Sequence, residues 1–317
     1  MTRITVDDVY RARERIAGTV RQTPLLRALT LRGPLPTPVD LYLKLENLQV
    51  TGSFKARGAV NAVRSLPSEQ VRRGLVTASG GNHGLGVAYA GWAAGVPATI
   101  YLPRNTPPGK AQKLAAWGAR VVVEGAVWDD ANRAAQESAE REGLTYVHPF
   151  ADPAVIASQG TIALEVLEDQ PDLDVLVVPI GGGGLISGIA LAAKALRPEL
   201  RVVGVEPVGA PTLHASLQAG RLVELPEITT AANTLAPRRS EEINLAIIRE
   251  HVAEIVLVDD ADMRDSARWL WFELGVAAEL AGAASCAAIR SGRVRLAPGE
   301  RTCAIVSGAG TNGIEKR

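Results

Sequence analysis

From about residue 74 the sequence alternates short β-rich runs with stretches of helical period, and few folds accept that pattern. LVTAS, ATIYLP, ARVVVEG and TYVHPF are separated by HGLGVAYAGWAAG, PGKAQKLAAWG and WDDANRAAQESAEREG. This order predicts a small parallel α/β lobe ending near Phe150. A second series follows: the helix SQGTIALEVLED, the strand DVLVVPI, a glycine run, the helix LISGIALAAKALRP and the strand RVVGVEP. It closes with EIVLVDD, helices through ADMRDSARWLWFELG and AELAGAASCAAIRSG, and the strand RTCAIVS. The early strand VDLYLKLE is expected to join the larger sheet, and residues 221–240 lack a period and read as a long loop. The expectation is a two-lobed α/β protein with open, mostly parallel twisted sheets and flanking helices. Residues 1–73 and 150–317 would form the larger lobe and 74–149 the smaller. The ligand site should lie between the lobes, beyond the carboxyl ends of the strands.

Charge and composition narrow the ligand class. Lys and Arg total 34 against 34 Asp and Glu, with no long run of either sign, so neither nucleic acid nor an anionic membrane is an expected partner. The first residues, MTRITVDDVYRARERIAG, lack the basic-then-apolar order of a secretory signal. No apolar run reaches the ~18 residues of a membrane span. The two cysteines, Cys286 and Cys303, fit a reducing, cytoplasmic setting. With His83, His148, His214 and His251 scattered, no metal site is expected.

Three glycine-rich stretches follow β-rich runs. SGAGTNG at 307–313 has GxGxxG spacing through Gly308, Gly310 and Gly313, but only Ile314 to Arg317 follow, which leaves no helix to receive a pyrophosphate. GGGGL at 181–185 joins DVLVVPI to a helix and frees several backbone N–H groups for a phosphate; a tight turn is the alternative, for which one or two glycines would suffice. SGGNHG at 79–84 likewise opens a helix and could take a carboxylate or an oxyanion, or be simply a capped loop. The stretch TGSFKARGAVNA at 51–62 reads as a helix start capped by Ser53, which puts Lys55 against the positive end of the helix dipole. That placement costs about 0.3–1 kcal/mol if the lysine has no other task.

In this order and at these intervals, SFKARGA at 53–59, SGGNHG, GGGGL and the terminal SG at 307–308 resemble the fold type II pyridoxal 5′-phosphate enzymes, specifically the threonine/serine dehydratase and serine racemase group. HPFADPAVIASQGTIALEVL and VVGVEP extend the similarity over nearly the whole chain. The resemblance implies that Lys55, behind Phe54, is joined to the cofactor aldehyde, and that Gly181, Gly182, Gly183, Gly184 and Leu185 cradle its phosphate. It further implies that Asn82 meets the ring hydroxyl and Ser307 the pyridine nitrogen, while Ser79, Gly81, Asn82 and His83 bind the substrate carboxylate. The implied substrate is a small β-hydroxy amino acid, L-threonine or L-serine, and the implied products are 2-oxobutanoate or pyruvate plus ammonia; relatives suggest a homodimer or homotetramer.

The chain departs from the pattern in places. Racemases of the group place a serine where this chain has Gly80, so elimination is favoured over racemisation. A divalent cation site in some relatives would fall on Glu206, Ala210 and Thr212, where Thr212 replaces an anionic ligand. Glu279 to Ala283 read ELAGA where relatives carry EPSGA. A β-replacement enzyme, threonine synthase, a non-catalytic cofactor carrier and a nicotinamide oxidoreductase stand as the rival readings.

Overall fold

The computed structural model describes residues 3–106 and 108–314. Its larger sheet is built from β1 (Leu25–Arg27), β2 (Asp40–Lys44), β7 (Val175–Pro179), β8 (Arg201–Pro207), β9 (Glu254–Val258) and β10 (Arg301–Ile305). The strand order is β1-β2-β10-β7-β8-β9, parallel throughout except for β1, which runs antiparallel to β2. The smaller sheet holds β3 (Leu75–Ala78), β4 (Ala98–Leu102), β5 (Arg120–Val123) and β6 (Thr145–Tyr146) in the order β5-β4-β3-β6, all parallel. The strand VDLYLKLE does join the larger sheet, paired in parallel with β10.

Every residue of β7 and β3 is buried. That suits strands covered on both faces, which need apolar side chains at every position. One face of the large sheet is covered by α1 (Val6–Ile16), α7 (Pro153–Asp169), α8 (Gly184–Leu196) and α10 (Glu242–His251), the other by α11 (Asp260–Leu274) and α12 (Leu280–Arg290). Against the small sheet lie α2 (Lys55–Arg64), α4 (Asn82–Ala94) and α5 (Pro108–Ala116) on one side and α6 (Trp128–Glu142) on the other. The short α3 (Ser68–Val71) precedes β3, and α9 (Thr212–Ala219) follows β8. Residues 221–240 have no regular structure beyond a 3₁₀ turn at Asn233–Leu235, as their composition suggested.

The parallel order decides where a site can form. The segments leaving the carboxyl ends of β2, β10 and β7 lead respectively to Lys55, Ser307 and Gly181, and those strands are neighbours. Loops far apart in sequence therefore emerge side by side.

A buried ionic cluster ties α2 to this sheet. The Arg57 guanidinium donates to Glu46 at 2.8 and 2.9 Å and to Glu165 of α7 at 2.6 and 2.9 Å. The Lys44 ammonium, at the end of β2, lies 2.6 Å from Glu165 and donates to the Thr23 carbonyl at 2.6 Å. Arg57, Lys44 and Glu46 are buried, each at most 1% exposed, so the two cations and two carboxylates hold their charges only by neutralising one another. Burial opposes ionisation of Glu165, but Arg57 and Lys44 outweigh it and hold that carboxyl below its ordinary range. Arg57→Met is predicted to lower the unfolding free energy by about 3–5 kcal/mol, because Glu46 and Glu165 lose their shared cation. Urea unfolding monitored by circular dichroism measures it; a change below about 1 kcal/mol, the worth of an exposed pair, contradicts this role.

Candidate active site

The approach to Lys55 is strained. Thr51 takes φ 65° and ψ 1°, a left-handed conformation that costs a β-branched residue about 1–3 kcal/mol, and Gly52 follows at φ 81°. Ser53 then runs extended and bridges Gly308, so α2 begins at Lys55 with Phe54 in the cap position. The expectation that Ser53 caps this helix is thereby corrected. Its hydroxyl is buried without a hydrogen-bond partner, because the extended bridge to Gly308 turns it away from the helix N–H groups. The Phe54 N–H donates to the Ser307 carbonyl at 3.4 Å and the Ala309 N–H to the Gly52 carbonyl at 2.8 Å, which stitches the end of β10 to the start of α2. Gly86 of α4 lets that helix press on the same turn: a Cβ there would come within 2.9 Å of the Lys55 carbonyl oxygen.

Lys55 points into the cleft, its Nζ donating to the Pro149 carbonyl at 2.6 Å and lying 5.1 Å from the centre of the Phe54 ring. Loss of solvent pushes its pKa down to about 8. The same surroundings keep two histidines neutral: burial, then the charge of Lys55, lowers His83 to about 3 and His148 to about 4. The His83 ring faces inward, with Nε2 at 2.9 Å from the Val147 carbonyl and 3.1 Å from the Thr77 hydroxyl. Its part in a carboxylate site would fall to its backbone N–H, which among the described residues has no protein acceptor at the start of α4.

The residue after Pro149 reaches the glycine run. A Cβ at Gly182 would lie 2.3 Å from the Phe150 ring, and one at Gly184 would lie 2.5 Å from the Phe150 carbonyl oxygen. Gly183 adopts φ 95°. The Gly182 carbonyl is turned aside to accept from Ser240 Oγ and Asn244 Nδ2, both at 2.9 Å. Among the described residues the N–H groups of Gly181, Gly182 and Gly183 have no protein acceptor, and they lead into the free N–H groups of the first turn of α8, where Leu185 sits. These are the donors an anion at a helix start requires. Ser307 is 4% exposed and its hydroxyl has no hydrogen-bond partner among the described residues.

Asn82 donates to Glu279 Oε1 at 2.7 Å, and Thr234 donates to the same oxygen at 3.2 Å. A Cβ at Gly308 would touch both Glu279 and Asn82, so these residues stand directly beside Ser307. Burial raises the Glu279 pKa, against the pull of its two hydrogen-bond donors. The Ser79 hydroxyl accepts from the Gly81 N–H at 3.3 Å and shapes the loop before α4. Glu279, Thr234 and Phe150 are the lining residues that the sequence did not assign to the site. The signal for Glu279 was present, an acid directly before the small-residue helix α12, but its link to Asn82 spans 197 positions. At the position matching the cation site of some relatives, both Glu206 oxygens accept from the Leu213 and His214 N–H groups at 2.8 Å, and the Thr212 hydroxyl donates to the Pro237 carbonyl at 2.7 Å. Burial lifts Glu206 to about 8.

A family model described as "pyridoxal-phosphate dependent enzyme" matches residues 16–308. The chain belongs to this family. As a pyridoxal-phosphate-dependent enzyme it is 42% identical over 286 residues to an L-threonine ammonia-lyase from Thermotoga maritima, across 90% of this chain and 71% of the relative. A threonine deaminase from Solanum lycopersicum, the processed form of isoform 2, superposes with TM-score 0.89 at 34% identity, covering 96% of this chain and 90% of its own. Maize serine racemase superposes with TM-score 0.91 at 34% identity, covering 96% of this chain and 93% of its own. Pyridoxal phosphate fits the site: an amine of lowered pKa, a row of unpaired N–H groups and an unpartnered hydroxyl meet around the 149–150 segment and the end of β10. Gly184→Ala would force a methyl onto the Phe150 backbone, so this variant is predicted to retain cofactor at least about tenfold more weakly than the parent. Visible absorbance after dialysis tests this, and equal retention contradicts it.

Proposed function

We propose that this enzyme eliminates water from L-threonine or L-serine and releases ammonia with 2-oxobutanoate or pyruvate. The observation that carries the reading is the half-buried Lys55, its amine anchored at Pro149 within one residue of the contacts that Phe150 makes with the glycine cradle. Bound pyridoxal phosphate supplies the electron sink that makes the substrate's Cα proton removable.

The chain's own residues perform the remaining tasks. Lys55, its pKa lowered to about 8, keeps a neutral fraction at physiological pH and would be both the nucleophile toward a cofactor aldehyde and the base for the substrate's Cα proton. The N–H groups of Gly181 to Leu185 would hold the cofactor phosphate, and the unpartnered Ser307 hydroxyl would face the pyridine nitrogen. A hydroxyl in that place, unlike a carboxylate, would leave a pyridine nitrogen largely uncharged. Asn82, held by Glu279, would meet the ring hydroxyl. The Ser79–His83 loop would receive the substrate carboxylate at the start of α4. Gly80 offers no proton on the far side of the site, which argues against racemisation. The released enamine hydrolyses in water to the keto acid.

The lobe division at 74–149, a homo-oligomeric state and a cytoplasmic setting belong to the same proposal. The four-stranded sheet confined to residues 75–146 and the free, buried Cys286 and Cys303 support the first and the last.

Two outcomes are predicted. Purified enzyme loaded with cofactor forms keto acid from L-threonine or L-serine, and Lys55→Ala abolishes both that product and the visible band of the lysine-linked cofactor; good loading without keto acid from either substrate contradicts the reading. Cofactor capture by the stripped enzyme quickens as pH rises and levels off above about 8, because only the neutral amine attacks. Stopped-flow absorbance follows it, and a rate still climbing above pH ~10 would mark an ordinary lysine.

A further inference from the structure

Lys55 is one of two lysines in this region set against a helix dipole. Lys110 sits in the first turn of α5, which has no acidic residue to offset it. It is half-buried and, among the described residues, its side chain has no ion pair or hydrogen bond. A Cβ built at Gly80 would lie 3.6 Å from Lys110 Cδ, so the lysine stem passes along the loop expected to hold the substrate carboxylate. Thr106 and Leu102 complete the contacts on that face of Gly80. The charge of Lys110 reaches across the site to Glu279, where it opposes the rise caused by burial.

The loop itself supplies no cation. Ser79 and Asn82 are neutral, burial keeps the His83 ring uncharged, and Lys55 is reserved for the cofactor. A carboxylate entering here would meet helix N–H groups and the half-buried Glu279 carboxyl, and among the described residues of this loop no opposite charge unless Lys110 provides it.

We propose that Lys110 is the counter-charge for the substrate α-carboxylate, reaching it over the bare backbone of Gly80. This deepens the reading of the site as an amino acid ammonia-lyase and rests on it. Glycine at 80 then has a positive role: a side chain there would press on Thr106 and Leu102 and crowd the path of the lysine stem.

The test uses the cofactor-loaded enzyme with Lys110→Met and Lys110→Arg, assayed with L-threonine and with L-threoninamide, which lacks the carboxylate charge. Lys110→Met is expected to raise KM for L-threonine about tenfold or more, with kcat within about threefold and the visible cofactor band unchanged. Lys110→Arg should restore most of the affinity, and L-threoninamide should not distinguish Lys110→Met from the parent. An unchanged KM for L-threonine overturns the inference, and so does an equal loss with both compounds, which would mark packing by the stem. If the parent forms no keto acid, the ammonia-lyase reading fails on its own. The inference is then decided by titrating the visible band with the two compounds: a loss of affinity confined to L-threonine upholds it, and equal affinities in parent and variant overturn it.

Discussion

The cluster of Arg57, Glu46, Glu165 and Lys44 fixes the geometry on which the site depends. Successive helical residues turn by about 100°, so Arg57 leaves α2 about 200° from Lys55. Fastening Arg57 inward to Glu165 of α7 and to the turn at Glu46, with Lys44 of β2 on the same Glu165 carboxylate, obliges Lys55 to face outward into the cleft. The arrangement costs desolvation of four charged groups, and it stands because each is paired and the set sums to zero. It also explains how a strained turn at Thr51 persists, since the segments on both sides are held by contacts formed elsewhere.

Strand order supplies the second constraint. With β2, β10 and β7 adjacent and parallel, the segments carrying Lys55, Ser307 and the glycine run must emerge at one edge of the sheet. Residues 149–150 bridge them, one carbonyl holding the Lys55 amine and the next ring covering Gly182. The small sheet brings Asn82 and Lys110 from the other side. Burial at this junction lowers the lysine pKa to about 8 and keeps both nearby histidines neutral, so the amine and neither imidazole titrates near physiological pH.

Much of this was legible in the residues. The alternation of β-rich and helical runs led to two parallel sheets, and the four glycines after DVLVVPI became a helix start with free N–H groups. Three helices escaped notice. α3 is four residues long, too short to show a period. The run TLHASLQA of α9 is too short for its period to declare itself, and in α10 the period of EINLAIIREH follows an irregular stretch that obscures its start. The Ser53 cap failed because a local preference gave way to a bridge with Gly308, a partner near the other end of the chain. Glu279 escaped assignment for the same reason: its contacts with Asn82 and Thr234 span 197 and 45 positions, and no local period encodes them.

The central claim is that one amine and one row of backbone N–H groups, brought together by neighbouring strands, hold a single cofactor. A crystal structure of the cofactor-loaded enzyme tests it most directly. Continuous density is expected from Lys55 Nζ to the cofactor, with the amine released from the Pro149 carbonyl and the phosphate resting on the N–H groups of Gly181 to Leu185. Density for the phosphate anywhere else, or a Lys55 still bonded to Pro149 with cofactor present, would contradict it.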